Sequence, residues 1–175
     1  MVFDPETVED RAKQREDDNW RFRSYLKWQD EMDEPELDAL VCRTADEAAR
    51  SVDCAACARC CTKLQIQVSE TDQRRLAQAL GMNLPDLQEK YLVYGPDDEG
   101  GSVWRMKEAP CPFLENGRCS VYEARPEQCR DYPYLHKPDF TSRLMGMIER
   151  TFTCPIVFLV MEELKVEFRS RRERW

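Results

Sequence analysis

Residues 54–61 read CAACARCC, so four of the chain's nine cysteines fall within eight positions. A chain can fold around such a stretch only if something holds those thiols together. Nine is an odd number, which a full set of disulfides cannot use. The opening residues are charged where a secretory signal needs an apolar run, and the longest apolar stretch, Ile156 to Met161, is far short of the ~20 residues of a membrane span. The expected location is therefore the cytoplasm, where thiols stay reduced. Metal binding or redox chemistry is then the demand that the cluster answers.

Two residues between cysteines is the spacing that lets one tight turn aim both sulfurs at one centre. Here it occurs twice in series, as Cys54, Cys57 and Cys60. Those three match the first ligands of a ferredoxin-type [4Fe–4S] run, whose last cysteine precedes a proline. Two distant Cys-Pro pairs, Cys111-Pro112 and Cys154-Pro155, can supply the fourth. Adjacent side chains usually point apart, so Cys61 suggests two centres or one centre with a reserve thiol; a second site would take Cys61, Cys119, Cys129 and the other Cys-Pro thiol. Cys42 falls within a helical apolar pattern and reads as a core residue. Removing it leaves Cys54, Cys57, Cys60, Cys61, Cys111, Cys119, Cys129 and Cys154, enough for two four-coordinate sites. His136 is the only histidine, so any site is rich in sulfur and favours zinc or iron–sulfur over magnesium or calcium.

Spacing alone does not separate a structural zinc site from a cluster. A thioredoxin-like pair would need a strand before the motif, and a helix is expected there. The Cys-x3-Cys-x2-Cys pattern of radical S-adenosylmethionine chemistry is absent from the segment. With 34 acidic and 26 basic residues the net charge is −8, so no general attraction to nucleic acid or anionic lipid is expected. A protein or small-molecule partner is left unspecified, and the chain is taken as a monomer.

Along the chain, Asp4 to about Asp30 reads as a helix, solvated early and docked late through Trp20, Phe22, Tyr25, Leu26 and Trp28. A second helix spans Pro35 to Ser51. KLQIQVS after the cluster alternates Leu64, Ile66 and Val68 with glutamines, the period of a half-buried strand. Ser69 with Asp72 starts a helix that Gly81 stops, and Asn83 caps another. GPDDEGG, Gly95 to Gly101, reads as an acidic loop before a strand in SVWRMKE. Asn116-Gly117 signals a hairpin that places Leu114 opposite Cys119 and Cys111 near Tyr122. A short helix from Pro126 carries Cys129, and helices over Asp139–Arg150 and Pro155–Arg172 follow. The basic tail RSRRERW reads as a solvated helix end. The fold class is α+β, a small antiparallel sheet surrounded by helices around a cysteine-ligated centre. Residues 1–50 form a helical extension packed on the core, and 51–175 the metal-binding domain.

CAACARCC, then CPFLENGRCSVYEARPEQCRDYP at Cys111 to Pro133, then the late Cys154-Pro155 resemble the YkgJ-type CxxCxxCC cysteine-cluster family, described as a zinc- or iron-chelating domain. The resemblance covers roughly Val52 to Pro155. Flagellin lysine methylases are similar through the same motif, where it is associated with an iron–sulfur cluster, which implies iron here without implying methylation. No Rossmann-type glycine turn is present to hold S-adenosylmethionine.

Arg125, Arg130 and Tyr132 flank Cys129, and Arg59 lies within the first cluster. Guanidinium and N–H donors there would stabilise thiolates bound to a metal, so Arg125, Arg130 and Tyr132 are candidate cofactor-binding residues. His136 reads as a surface residue, and no catalytic residue is assigned. The expected function is metal binding, with a [4Fe–4S] cluster in a redox or enzymatic role. The alternative is a zinc-stabilised interaction module without activity.

Overall fold

The computed structural model describes residues 4–97 and 100–172. Its backbone contacts gather into two compact units, residues 1–54 with 133–175 and residues 55–132.

The first unit is helical. α1 (Val8–Trp28) and α2 (Glu34–Ala49) pack with α8 (Leu144–Thr151) and α9 (Pro155–Arg172). α2 begins with a capping box in which Asp33 and Glu36 exchange side-chain and backbone bonds. Leu37, Val41 and Ala45 give it the buried stripe that its period demands. One turn in, the Asp38 carboxylate accepts from the N–H groups of Asp139 (2.9 Å) and Phe140 (3.0 Å), which fixes the short 3-10 helix Phe140–Arg143 ahead of α8. That turn replaces the first residues of the helix expected from Asp139. Phe22 and Tyr25 meet Phe168 edge-on at 5.9 and 5.6 Å. The early part of α1 is largely solvated as expected, except that Val8 and Ala12 on it are fully buried. At its other end Trp28 is 89 % exposed instead of docked.

The second unit mixes short helices with antiparallel pairs, so the chain is helix-rich α+β. α3 (Cys54–Cys57) leads through Ala58, which is left-handed at φ 47°, into α4 (Arg59–Lys63). Leu64, Ile66 and Val68 alternate inward as expected. Their segment lies antiparallel to β2 (Ser102–Met106), through Val68 N–H to Trp104 (2.8 Å) and Met106 N–H to Ile66 (3.0 Å). α5 (Glu70–Leu80) starts at the Ser69–Asp72 capping box and stops at Gly81, whose φ of 64° suits a residue without Cβ. Asn83 caps α6 (Leu84–Tyr91).

β1 (Leu92–Pro96) pairs with β2 in the register Leu92 to Met106. Gly95 and Pro96 thus belong to a strand and not to the loop expected from Gly95, while residues 98–99 of that loop lie outside the described residues, as do 173–175 of the basic tail. β3 (Leu114–Glu115) and β4 (Arg118–Cys119) form the Asn116-Gly117 hairpin, with Leu114 opposite Cys119. The arms do not extend to Cys111 and Tyr122. Cys111 is already in a turn closed by Leu114 N–H, and a 3-10 helix occupies Tyr122–Ala124. α7 (Glu127–Asp131) carries Cys129. Val68, Leu76, Leu87, Leu92, Met106 and Phe113 make the core of this unit, and Cys111 and Cys119 pack against it.

Candidate metal centre

None of the nine cysteines is in a disulfide. Six of them, Cys57, Cys60, Cys61, Cys111, Cys119 and Cys129, lie in the second unit, each half-buried. Cys54, exposed, and Cys154, buried at the start of α9, belong to the first. So does Cys42, half-buried on α2 with its sulfur 3.9 Å from the Leu135 carbonyl oxygen.

Within the second unit, backbone bonds join the segments that carry thiols. Cys111 N–H donates to the Cys61 carbonyl at 2.7 Å, so the end of the CAACARCC stretch and the Cys-Pro turn are bonded directly. Leu114 N–H closes the turn onto the Cys111 carbonyl, and Leu114 pairs with Cys119 across the hairpin. Cys129 arrives on α7, where Gln128 accepts a bond from Gln67 N–H (2.9 Å) six residues beyond Cys61.

Four of the six, Cys61, Cys111, Cys119 and Cys129, act on one another electrostatically. Burial pushes the Cys129 thiol up to about 12, and the charges of Cys111, Cys61 and Cys119 add to the rise. Burial raises Cys111 as well, with Cys61 and Cys119 opposing its ionisation. Burial also raises Cys119, against which Cys61 acts in the same sense. Cys61 is the exception: a side-chain hydrogen bond with Cys60 holds it down to about 7, and the Arg125 guanidinium helps. Adjacent side chains usually point apart, but these two interact. On α4 successive side chains are only roughly 100° apart, which lets Cys60 reach its neighbour. Cys61, Cys111, Cys119 and Cys129 therefore sense one another's charge. Such a set resists full ionisation until a cation cancels the repulsion.

Arg125 supplies positive charge beside them, opposing the rise at Cys119 and Cys129. Its guanidinium lies 3.5 Å from the Tyr122 ring centre, and its Nε donates to the Tyr122 carbonyl at 2.9 Å, so it is held in place. Arg130 donates to the Arg125 carbonyl (2.8 Å), where it braces backbone, and Tyr132 closes α7 through its N–H to Gln128 (3.1 Å). Arg59 is buried on α4. His136 is a surface residue 2.9 Å from Asp46. Among the described residues, no three Cys, His, Asp or Glu side chains stand as a ready-made ion site.

A family model named CxxCxxCC, with the description "putative zinc- or iron-chelating domain", matches residues 53–154, more than half of the chain. The chain belongs to this family. No curated protein and no solved structure matches it. The CxxCxxCC match begins one residue before Cys54 and ends on Cys154, so it includes eight of the nine cysteines and leaves out Cys42. Zinc or iron chelation is what this membership supports. Among the described residues, no helix is long and apolar enough to cross a membrane.

The sequence reading missed the side chains that hold the thiol-bearing segments. Asp72 and Arg75 on α5 bond the backbone between Ala124 and Glu127. The Ser69–Asp72 cap was visible in the sequence, but nothing local signals that Asp72 has a second partner 55 residues away.

Proposed function

We propose that this CxxCxxCC protein carries a [4Fe–4S] cluster in a redox or enzymatic role, in the cytoplasm, where thiols stay reduced. The group of four interacting thiols, Cys61, Cys111, Cys119 and Cys129, carries the reading. Their donor chemistry fits the group: sulfur alone, partly withdrawn from water, with a guanidinium at hand. These four would hold it, and Cys57 and Cys60 are further candidate ligands on the spacing of the motif. When bound, a cluster supplies one-electron transfer at a potential set by the charges and hydrogen bonds around its sulfurs. The part of this chain is to keep the thiolates ionised and to exclude water. Arg125 offsets their negative charge, Arg130 braces the Arg125 backbone, and Tyr132 ends the helix that presents Cys129.

Zinc is the second reading. Four thiolates drawn together by zinc would complete a tetrahedral set with no open position, the arrangement of a structural site, and the protein would then be a zinc-stabilised interaction module. Anaerobic purification followed by metal and sulfide analysis separates the two. Iron with acid-labile sulfide and visible absorption supports the cluster, whereas stoichiometric zinc without sulfide overturns it. Cys129→Ser is expected to lower metal content sharply and Cys42→Ser to leave it intact. Full metal content in both would refute the ligand assignment.

A further inference from the structure

Cys129 sits on an element that cannot hold itself. α7 has five residues, and its N-cap is Pro126, which makes no side-chain bond to the first N–H groups of the turn. A turn this short does not persist alone in water. Beside the bond from Gln67 N–H to Gln128, the groups that hold it come from α5.

Asp72 is 3 % exposed, and its two carboxylate oxygens serve different segments. Oδ2 accepts from Ser69 N–H (3.3 Å) and Ser69 Oγ (2.8 Å), closing the cap of α5. Oδ1 accepts from the N–H of Glu127 (3.1 Å), the first of α7, and from the guanidinium of Arg75. Arg75 then donates to the carbonyls of Ala124 (3.4 Å) and Arg125 (2.8 Å). Two side chains one helical turn apart thus grip the backbone from 124 to 127 at two carbonyls and one N–H. The thiol of Cys129 follows two residues later.

Given the reading that Cys129 is a metal ligand, on which this step rests, we infer that Asp72 and Arg75 are positioning residues that set how well Cys129 completes the site. The capping box accounts for Ser69 and Oδ2 alone. It does not use Oδ1 or Arg75. A carboxylate this buried is unfavourable unless it is fully paired, and here one oxygen is paired with the segment that delivers the thiol and with the arginine that grips it. The same negative charge lies at the N-terminus of α7, where the exposed N–H groups favour it. Without the grip, Cys129 would have to be ordered by the metal itself, at the expense of affinity.

Anaerobic titration of the full chain with Co2+ tests this, because thiolate-to-cobalt and d–d bands report how many sulfurs bind. Arg75→Gln is expected to weaken Co2+ binding by about tenfold to a hundredfold and to shift the spectrum towards that of Cys129→Ser. Arg75→Lys keeps the charge but not the fork that bonds two carbonyls and a carboxylate, and should shift the spectrum in the same direction. Ser69→Ala loses the cap of α5, and with it stability, yet should keep the wild-type affinity and spectrum. Wild-type affinity and spectrum in both Arg75 variants would overturn the inference. So would an equal loss of affinity in Ser69→Ala and Arg75→Gln with unchanged spectra, which would assign the network to general stability. A wild-type chain that shows no thiolate–cobalt bands would instead overturn the metal reading itself.

Discussion

Cys61 and Cys129 carry the same thiol, yet their surroundings drive them in opposite directions, to about 7 and to about 12. Burial and three neighbouring cysteines oppose a negative charge at Cys129, whereas Cys60 and Arg125 favour one at Cys61. Protons and metal compete for the same sulfurs, so acid must weaken binding. Below about pH 7 all four thiols are protonated in the metal-free protein, and uptake displaces about four protons; above it Cys61 is already ionised and about three are displaced. The logarithm of the affinity should therefore rise more steeply with pH below about 7 than above it. Competition against a chelator of known affinity, from about pH 6 to about pH 8, measures that slope. A constant slope through pH 7 would remove Cys61 from the ligand set.

The β3–β4 hairpin shows the same dependence one level up, because a turn brings Cys119 to its place opposite Leu114. Asn116 and Gly117 both have positive φ, at 50° and 76°, the requirement of a two-residue hairpin turn. A Cβ at Gly117 would meet nothing within 4 Å, so Gly117→Ala is a test of backbone strain alone. It should cost about 1 kcal/mol, read as a lower urea midpoint at unchanged slope, and weaken metal binding as the arm bearing Cys119 loses its register. Normal stability would mean that the turn does not set the arm. This hairpin was legible in the sequence because two adjacent residues decide it, and so were the caps at Ser69 and Asn83. β1 was not, since Val93 and Tyr94 are exposed and Gly95-Pro96 resembles a turn. Val8 and Ala12 are buried on a helix that packs with α8 and α9 from the far end of the chain, a packing that no local pattern encodes. At the candidate site the cysteines were legible as residues that repeat at fixed spacing. Their grouping, and the grip of α5 on α7, depend on contacts between distant segments.

For the whole molecule, the two units differ in what can hold them together. Among the described residues, Leu37, Phe140, Leu144, Met147, Met161, Leu164 and Phe168 are large, fully buried side chains of the first unit. The second has Leu76, Leu87 and Met106 in that class. A unit of roughly eighty residues with so small a core is marginal without a staple, and bound metal is the staple that six cysteines offer. Cys111 and Cys119 pack against that core, so a metal on their sulfurs would extend it. Binding to the folded form alone contributes about 4 kcal/mol when free metal is about a thousandfold above its dissociation constant. Chelation should therefore raise hydrogen exchange at residues 64–68, 102–106 and 127–131, while the amides of α1, α2, α8 and α9 keep their protection. Hydrogen exchange followed by mass spectrometry, with and without chelator, makes the comparison peptide by peptide. Loss of protection shared equally by both units would mean that the metal is not held by residues 55–132, and the four-thiol assignment would fail with it.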